Sequence, residues 1–592
     1  MSESKYSDVL ADWLQQLGYT HCFFVAGGNI MHLLESCSQR MTCIPVMHEV
    51  ASCIAAEYFN EVHLGGKAFA LVTAGPGMTN AVTGIAGAYL ESREVLVIGG
   101  QVKVSDLARD EVRQRGIQEI DGVAIAKPIT EKSLRLERVV DRATFAEMTV
   151  SGSSGRKGPV FLEIPLDLQG ARVDASGLET PLRSAAPVMK QLPPDLIGEL
   201  AAKLRSSKRP VLLLGAGIDR CVSDSMQESL AEFGVPVFLT WNAMDRLGSD
   251  HPMYFGRPNT WGQRSANILL QQSDLLLALG TRLSLQQTGF NWQNFAPLAE
   301  VVQVDCDPAE LAKGHPIVDL KVCGDANEVL RELLSHNAGN HTDWVQFCRF
   351  VREQLPLVEE NQTGEGYLSP YVFAQQLGQL ALDSDIVIPC SSGGAFTTMM
   401  QAFSQKLGQR IVSNKGLASM GYGLSGAIGA AVAGKGKRTI LVEGDGGFTQ
   451  NMQELGTVRQ NRLNLKIFVF DDHGYASIRM TQRNYFGGRY VGCDIETGLG
   501  MPDWTHLFAA YSIPMLRIGP GFASDAEFLK HFDAEGPAAF VVSIDPKQTY
   551  FPKITSRVTA SGSMESNPLH VMSPDLEPSI AARVLPYLLE RE

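Results

Sequence analysis

Short apolar runs alternate with longer amphipathic stretches along most of this 592-residue chain. In the first part of the sequence these runs cover residues 21–25, 44–47, 68–72, 95–98 and 160–164. Strands that alternate with helices predict βαβ units, in which parallel strands are buried between layers of helices. The pattern therefore predicts an α/β fold built from doubly wound parallel sheets.

The same alternation begins again twice, which predicts three domains and a tail. The expected limits are 1–180 for the N-terminal domain, 190–345 for the middle domain, 367–550 for the C-terminal domain and 551–592 for the tail. A stretch rich in Pro and Ser, 178–194, is predicted to link the first two domains. The tail is rich in turn-forming residues and is expected to lie over a neighbouring surface and to end in a short helix.

Charge and composition argue against several functional classes. The chain has 51 Lys and Arg against 64 Asp and Glu, a net charge of −13, and no basic stripe, so nucleic-acid binding is not predicted. No apolar run reaches the roughly 18 residues of a membrane span. The ten cysteines form no CxxC pair, which argues against a zinc or disulfide framework. A cytoplasmic protein without nucleic-acid or membrane partners is the simplest interpretation.

A strand–helix–strand unit gives the strongest chemical signal. A strand at 439–442 leads into the turn GDGG, which contains Asp445, and a helix is predicted over 449–460. A second strand at 465–470 leads into DDHG, which contains Asp472. In a right-handed crossover the two parallel strands end at the same edge of the sheet, where ligands bind in open α/β folds. The two carboxylates are therefore expected to converge.

Paired carboxylates at such an edge suit Mg²⁺, which takes about six oxygen ligands and keeps phosphate oxygens among them. Gly444, Gly446 and Gly447 would let backbone N–H groups and a helix N-terminus approach a phosphate. Each motif alone is also explained as a turn or a helix cap. Together, with the strand–helix–strand unit between them, they predict a site for Mg²⁺ and a diphosphate.

The spacing of GDG and the acidic pair resembles the binding motif of thiamine diphosphate (ThDP) enzymes. The resemblance implies that Asp445 and Asp472 hold Mg²⁺ through their side chains and Gly474 through its carbonyl. It also implies cofactor contacts beyond the glycines at the residues that follow, namely Tyr475, Ala476, Ser477 and Ile478. The chain departs from the motif in having Asp471-Asp472 where most members have Asn-Asn, which changes the charge and keeps an oxygen ligand.

Glu49 follows a predicted strand and begins a predicted helix. The resemblance implies that this carboxyl hydrogen-bonds the aminopyrimidine of ThDP and relays the proton that activates the cofactor. The alternative is an acid at a helix start that is stabilised by the helix dipole. In this family the N-terminal domain of one chain faces the C-terminal domain of another, so a homodimer or homotetramer with active sites between chains is expected.

Over about residues 5–550, the resemblance narrows to the acetolactate (acetohydroxyacid) synthase-like branch. Its cofactor-binding segments match Gly27, Gly28, Gly75, Pro76, Asn80, Gly393, Gly394, Ala395, Ala418 and Met420. Met420 matches the apolar residue that bends the cofactor, and the Ala418 carbonyl is expected to accept a hydrogen bond from it. Gln118 matches a glutamine that orients the substrate, and Ile117 replaces a Phe that lies near the bound pyruvate in this branch.

The resemblance implies decarboxylation of a 2-keto acid, with pyruvate as the expected donor, followed by carboligation to an acceptor carbonyl. Ser477 and Thr481 occupy positions where synthases have a Met and a Trp, which predicts a wider, more polar pocket and a bulky or sugar-like acceptor. Simple decarboxylation, oxidase chemistry, 2-hydroxyacyl lysis and C–C hydrolysis are alternatives on the same scaffold. A non-catalytic cofactor-binding subunit is a further alternative.

The middle domain resembles the domain that holds FAD in many members of this branch. The resemblance rests on a GAG turn at 215–217 and on the segment LGTRLSLQQTGF, in which Gln286 replaces the second Arg of the motif. Bound FAD, a bound adenine nucleotide and an empty domain are the three alternatives.

Overall fold

The computed structural model of the protein describes residues 3–63, 65–109, 111–153, 155–182, 191–558 and 564–589. Three parallel sheets follow one another along this chain, which confirms the predicted α/β class. The proposed limits of the three domains stay predictions. Part of the predicted linker, 183–190, lies outside the described residues, as do 559–563 of the tail.

The first unit is a six-stranded sheet with helices on both faces. Its strands are β1 Ser4–Lys5, β2 Tyr19–Phe24, β3 Thr42–Pro45, β4 Lys67–Val72, β5 Val95–Gln101, β6 Lys132–Arg135, β7 Pro159–Pro165 and β8 Arg172–Val173. Its helices are α1 Tyr6–Gln16, α2 Met31–Ser38, α3 Glu49–Val62, α4 Pro76–Leu90, α5 Gly122–Ala126, α6 Arg142–Thr149, α7 Leu166–Gly170 and α8 Ala175–Leu178. The sheet order is β3-β2-β4-β5-β7-β6, all parallel, and β1 pairs separately with β8.

The second unit has a five-stranded parallel sheet in the order β10-β9-β11-β12-β13. Its strands are β9 Pro210–Leu214, β10 Val237–Leu239, β11 Leu275–Leu279, β12 Glu300–Asp305 and β13 Leu320–Cys323. Its helices are α9 Leu196–Ser206, α10 Arg220–Ser225, α11 Gln227–Phe233, α12 Arg264–Gln271, α13 Leu285–Thr288, α14 Pro308–Ala312, α15 Ala326–Leu334 and α16 Thr342–Gln354.

The third unit repeats the six-stranded parallel design in the order β15-β14-β16-β17-β19-β18. Its strands are β14 Ile386–Ile388, β15 Arg410–Ile411, β16 Thr439–Gly444, β17 Leu465–Asp471, β18 Met515–Ile518 and β19 Ala538–Ser543. Its helices are α17 Pro370–Leu380, α18 Gly393–Ala402, α19 Tyr422–Ala433, α20 Asp445–Phe448, α21 Leu455–Gln460, α22 Ala476–Tyr485, α23 Trp504–Ala510 and α24 Ala526–Asp533.

The tail packs back onto the middle unit. It contains β20 Lys553–Ile554, β21 Ser556–Val558, β22 Met564–Ser566, β23 Met572–Ser573, α25 Pro578–Val584 and α26 Pro586–Leu589. Leu569 and Val584 are buried in the hydrophobic core of the middle unit. The Arg264 guanidinium holds the tail by donating to the carbonyls of Met572, at 3.0 Å, and Pro574, at 2.7 Å. The tail is therefore an integral layer of the middle unit.

The single helix predicted over 449–460 is wrong. The short helix α20 ends at Phe448, before this segment; the segment is not helical at Asn451 and continues through a 3₁₀ turn at Met452–Glu454 into α21. Asn451 has φ −134°, outside the helical region, while its side-chain amide donates to the Gly421 carbonyl at 2.8 Å. That tertiary contact holds the backbone at the break and has no counterpart in the local sequence pattern.

Within one chain, the first and third units pack through small residues. On α19, Gly429 lies so close to the Ala55 carbonyl of α3 that a Cβ would collide with it, and Gly426 lies against the Tyr58 ring. Arg93 of the first unit is buried and bonds Glu57 Oε1 at 2.7 Å and the Ser413 carbonyl at 2.7 Å. These contacts fix the orientation of the two units. None of the described helices is long and apolar enough to cross a membrane.

Candidate active site

Two loops of the third unit begin at the same edge of its sheet. β16 and β17 are adjacent and parallel, with Gly444 opposite Phe470, so the segments that follow them emerge side by side. Asp445 follows the first strand and Asp472 the second. The strand–helix–strand arrangement predicted from the sequence therefore places these two residues at one edge.

Asp445 joins the two loops directly. Its Oδ2 accepts the backbone N–H of Gly474 at 2.9 Å, and its Oδ1 accepts that of Gly446 at 2.6 Å. The side chain is almost fully buried. Burial, and then the negative charge of Asp472, raise the pKa of Asp445 well above its usual range. A buried carboxylate that faces a second carboxylate is a place where a cation would relieve electrostatic repulsion.

The loop after β17 is shaped around Gly474. This residue has φ +147°, and a Cβ there would collide with the Cys493 carbonyl. The backbone N–H of Tyr475 donates to that same carbonyl at 2.7 Å, and the Tyr475 ring lies against Gly446. Glycines at positions 446 and 474 thus permit the close approach of the two loops.

Asp472 has a counter-ion that the sequence interpretation missed. Arg479, on α22, donates from Nη2 to Asp472 Oδ1 at 2.7 Å and to the Asp472 carbonyl at 2.9 Å. Burial raises the pKa of Asp472 to about 6, an effect that the Arg479 charge opposes. The neighbouring Asp471 faces elsewhere, with Oδ2 3.0 Å from Arg517 Nη1. The two acidic residues of the DD pair therefore have different environments.

A second pair of loops lies in the same unit. Gly393, with φ +82°, Gly394 and Ala395 begin α18, and the Tyr550 hydroxyl lies 2.6 Å from where a Cβ on Gly394 would be. Ser391 Oγ donates to the Ser419 carbonyl at 2.6 Å, which connects this loop to the Ala418–Met420 loop. Tyr550 was not predicted as a site residue, because it lies more than 150 positions along the chain from Gly394.

The loop that contains Ala418 and Met420 has an unusual backbone. Ala418 has φ +56°, Gly421 has φ +81°, and the Met420 side chain is 38% exposed. Asn451, which was not predicted either, holds the Gly421 carbonyl and so connects this loop to the segment after Asp445. Both loops are thereby attached to the Asp445 edge.

A separate group of predicted residues lies in the first unit. Glu49 is the first residue of α3, is 8% exposed, and accepts a hydrogen bond at Oε2 from Asn80 Nδ2 at 3.0 Å. Gly75, with φ +64°, precedes Pro76 at the start of α4, and a Cβ there would collide with the Gln118 carbonyl. The predicted residues Glu49, Asn80, Gly75 and Gln118 thus form two contacting pairs.

Further predicted residues of this unit lie at its surface. A Cβ on Gly27 would collide with Thr73, so the β2 and β4 ends approach closely there, whereas Gly28 has open space around it. Gln118 has φ +61° and is exposed, and the neighbouring Ile117 side chain is 85% exposed. Ile117 therefore contacts little within its own chain.

The predicted acceptor-pocket residues lie on α22. Thr481 Oγ1 donates to the Ser477 carbonyl one helical turn earlier at 3.0 Å, and both residues are exposed. Ile478, beside them, is 46% exposed, and Ala476 is half-buried. The face formed by Ser477 and Thr481 is therefore open, with no bulky side chain at either position.

The predicted site residues thus form two groups, one around Glu49 and one around Asp445. Across the described residues, no hydrogen bond or ion pair connects a predicted site residue of one group to one of the other. No cluster of three or more His, Cys, Asp or Glu that could hold a metal is found in the described part of the chain. A cation at the Asp445 edge would thus take two carboxylates and complete its ligands with carbonyl or ligand oxygens.

Three family models match the chain in order. They are "Thiamine pyrophosphate enzyme, N-terminal TPP binding domain" over 4–125, "central domain" over 197–333 and "C-terminal TPP binding domain" over 392–542. A probable acetolactate synthase large subunit of Methanocaldococcus jannaschii is 30% identical over 87% of both chains.

The chain belongs to the thiamine pyrophosphate enzyme family. Thiamine pyrophosphate is another name for ThDP, so this confirms the resemblance inferred from GDGG and DDHG. The acetolactate synthase isozyme 2 large subunit of Escherichia coli is 28% identical over 93% of this chain and 98% of its own. An acetolactate synthase of Arthrospira platensis is 28% identical over 92% of this chain and 95% of its own.

This ThDP enzyme therefore resembles the acetolactate synthase branch along most of its length. The Glu49 group falls in the unit that matches the N-terminal TPP binding domain, and the Asp445 group in the unit that matches the C-terminal one. The chain is thus an enzyme of the ThDP class with a binding unit at each end of its matched region.

Proposed function

We propose that the protein decarboxylates a 2-keto acid, with pyruvate as the expected donor, and joins the acyl unit to an acceptor carbonyl. Membership of the ThDP family and similarity to acetolactate synthases support this reaction class. The observation that carries the proposal is the hydrogen bond between Asp445 Oδ2 and the Gly474 amide, which assembles the two predicted cofactor loops at one sheet edge.

The Asp445 edge fits Mg²⁺. Asp445 and Asp472 are buried, and burial raises the pKa of both carboxyl groups, so a divalent cation would compensate their charges. We assign the two side chains and the Gly474 carbonyl as protein ligands, with diphosphate oxygens as further ligands. The Gly394 amide at the start of α18 is available for the same diphosphate, whereas the Gly446 amide already donates to Asp445 Oδ1.

ThDP, when bound, supplies a thiazolium carbon that attacks keto acids and accepts the electrons released on decarboxylation. Glu49 is the residue that we expect to hold and move a proton at the aminopyrimidine ring. Its position at a helix start and its hydrogen bond from Asn80 fix the carboxylate in a nearly buried place. Such positioned acid–base assistance is typically worth about 10²–10⁴-fold in rate.

The acceptor is expected to be bulky or hydroxylated. Ser477 and Thr481 leave one face of α22 open and present hydroxyl groups, and sites that read hydroxyls by hydrogen bonding discriminate strongly between substrates. We therefore propose that a hydroxylated ketone or aldehyde, such as a keto-sugar, is used in preference to a second pyruvate.

Supplying labelled pyruvate with candidate acceptors and identifying products by mass tests this function. A larger hydroxyketone together with CO₂ supports carboligation. Formation of free aldehyde would instead indicate simple decarboxylation, and formation of peroxide would indicate an oxidase. Turnover that does not depend on ThDP would contradict the proposal. The Asp445→Ala variant serves as the control for background reactions.

We propose that the active site lies between two chains of a homodimer or of a homotetramer. Support comes from the lack of any hydrogen bond or ion pair between the Glu49 and Asp445 groups among the described residues of one chain, and from the exposure of Ile117 and Gln118. Mixing Glu49→Gln chains with Asp445→Ala chains tests this arrangement. Sites shared between chains would regain activity on mixing, whereas sites within single chains would stay inactive.

The middle unit gives no support for bound FAD. Gly215 and Gly217 pack against Gly280, so close that a Cβ on Gly215 would collide with the Gly280 carbonyl. Contact between two turns thus accounts for these glycines without a nucleotide. The visible absorbance of the purified protein would reveal a flavin directly, and we assign the middle unit no step in the reaction.

A further inference from the structure

Arg479 is a buried cation at the Asp445 edge. It lies on α22, and its side chain is only 8% exposed. Its Nη2 group makes two hydrogen bonds to Asp472, one to the side chain and one to the backbone carbonyl. The bond to Oδ1 holds the carboxylate in one orientation, because rotation of the side chain would break an ion pair that is shielded from water.

The rest of the guanidinium has no hydrogen-bond partner among the described residues. Nε and Nη1 are both buried, and neither makes a hydrogen bond to any described residue. Buried donors without partners are rare and costly in proteins, and such donors on a charged group most strongly favour an anionic oxygen. Nη1 lies 3.0 Å from where a Cβ on Gly474 would be, beside the loop that Asp445 holds.

The balance of charge supports a role in ligand binding. Asp471 has its own partner in Arg517, and the Asp494 carboxylate accepts the Thr497 amide at 2.9 Å. Arg479 is thus a buried positive group that interacts with the Asp445 and Asp472 carboxylates. Its two unpartnered donors leave it able to bind a further oxyanion.

Resting on the proposed function, we infer that Arg479 is part of the cofactor site and has two tasks there. It is the counter-ion that holds Asp472 Oδ1, so that the other carboxylate oxygen remains for the metal. Its Nε and Nη1 groups donate to an oxygen of the cofactor diphosphate. The first task depends on the negative charge of Asp472, whereas the second does not.

The test measures binding of ThDP by calorimetry at a fixed Mg²⁺ concentration, using the full-length protein without turnover. Arg479→Met should weaken ThDP binding by about 10- to 100-fold, the usual effect of losing charge-assisted hydrogen bonds. Arg479→Lys keeps the positive charge but lacks the planar guanidinium. Its affinity for ThDP should therefore lie between those of the wild type and Arg479→Met. Arg483→Met, one turn later on the same helix and exposed, is the matched control and should bind normally.

A double-mutant cycle with Asp472→Asn separates the two tasks. Asparagine carries no charge and needs no counter-ion, so Arg479→Met should cost less affinity in that background than in the wild type. The cost that remains reports the diphosphate contact. Equal costs in both backgrounds would overturn the counter-ion role, and no remaining cost in the Asp472→Asn background would overturn the diphosphate contact.

Asp445→Ala distinguishes failure of this inference from failure of the proposed site. If Asp445→Ala loses ThDP while both Arg479 variants bind it normally, only the role of Arg479 is wrong. If Asp445→Ala also binds normally, the proposed site itself is wrong. Thermal unfolding without cofactor checks the fold of each variant, and Arg479→Lys keeps the test decisive if Arg479→Met does not fold.

Discussion

Glu454 Oε1 lies 3.0 Å from the backbone nitrogen of His48, the residue directly before Glu49. The same carboxylate accepts the amide of Met47 at 3.0 Å and the hydroxyl of Thr457 at 2.8 Å, and it is fully buried. A side chain of the third unit thus holds the backbone that leads into the proposed proton-transfer residue of the first.

Replacing Glu454 should therefore disturb Glu49 without touching the cofactor loops. We expect Glu454→Ala to lower kcat by about 10- to 100-fold, because small misplacements of a catalytic group are costly. Glu454→Gln keeps a carbonyl oxygen for the two amides and should remain close to wild type. Measuring kcat together with the ThDP Kd checks this, and a Glu454→Ala enzyme with normal kcat would show that the contact has no positioning role.

Glu49→Gln should leave folding and Mg²⁺–ThDP binding nearly intact, since glutamine can still accept the Asn80 hydrogen bond. Turnover should fall by about 10²–10⁴-fold, because the amide cannot relay a proton. Steady-state kinetics at saturating cofactor measure this effect. Activity within a few-fold of the wild type would refute the assignment of Glu49.

Asp445→Ala should abolish retention of ThDP, because it removes a proposed metal ligand and the contact that joins the two loops. Asp472→Asn should be tolerated, since the amide keeps one oxygen that can serve as a metal ligand. The measurement is the ThDP content after gel filtration at limiting Mg²⁺. Equal retention in Asp445→Ala and wild type would contradict the metal site.

Thr481→Trp should reduce ligation to a bulky acceptor while pyruvate decarboxylation continues. The reason is that the indole would fill the open face that Ser477 and Thr481 form on α22. The ratio of ligated product to released CO₂ in both enzymes measures the effect. If the wild type makes acetolactate from pyruvate alone and the ratio does not change, the wide-pocket proposal is wrong.

Docking of the tail should weaken as pH falls from about 6.5 towards 4. Burial lowers the pKa of His570 to about 4, whereas an unfolded histidine titrates near 6.5. Between pH 4 and 6.5, His570 therefore binds a proton more readily in the released tail than in the docked tail. The docked state becomes more stable as the pH rises across this range. The loss at low pH should not exceed about 3.5 kcal/mol, which is about 1.4 kcal/mol for each pKa unit of the difference.

Hydrogen exchange at residues 564–573, corrected for intrinsic rates, would follow this opening. His570→Asn keeps a group that can pair with Gln271, which lies 3.3 Å from His570 Nδ1, and removes the titration. Its tail protection should depend less on pH than that of the wild type. Identical pH dependence in the two proteins would exclude His570 as the cause.

The Asp445 edge was predictable from the sequence because two strong local patterns coincide there. Buried apolar runs predict the strands β16 and β17. The crossover between parallel strands predicts that their carboxyl ends lie at the same edge of the sheet. The convergence of Asp445 and Asp472 follows from these two facts alone. Short edge strands such as β15 and β18 were not predicted, because few of their residues are buried and their periodicity is weak.

The partners of these residues were not predictable in the same way. Arg479 pairs with Asp472 only because the chain turns back at Gly474, and Asn451 interrupts a helix to reach Gly421, thirty residues earlier. Tyr550 and Glu454 act across still longer separations. Hydrophobic periodicity contains no information about such contacts, which depend on how finished units pack together.

The docking of the tail also constrains the order in which the chain matures during translation. Leu569 and Val584 belong to the same buried core as the strands of the middle unit, and the Arg209 guanidinium lies 4.2 Å from the Tyr587 ring centroid. A ribosome that has released the middle unit has not yet made these residues. The core of the middle unit therefore remains incomplete while the entire third unit is synthesised. It becomes complete only when the tail docks onto it.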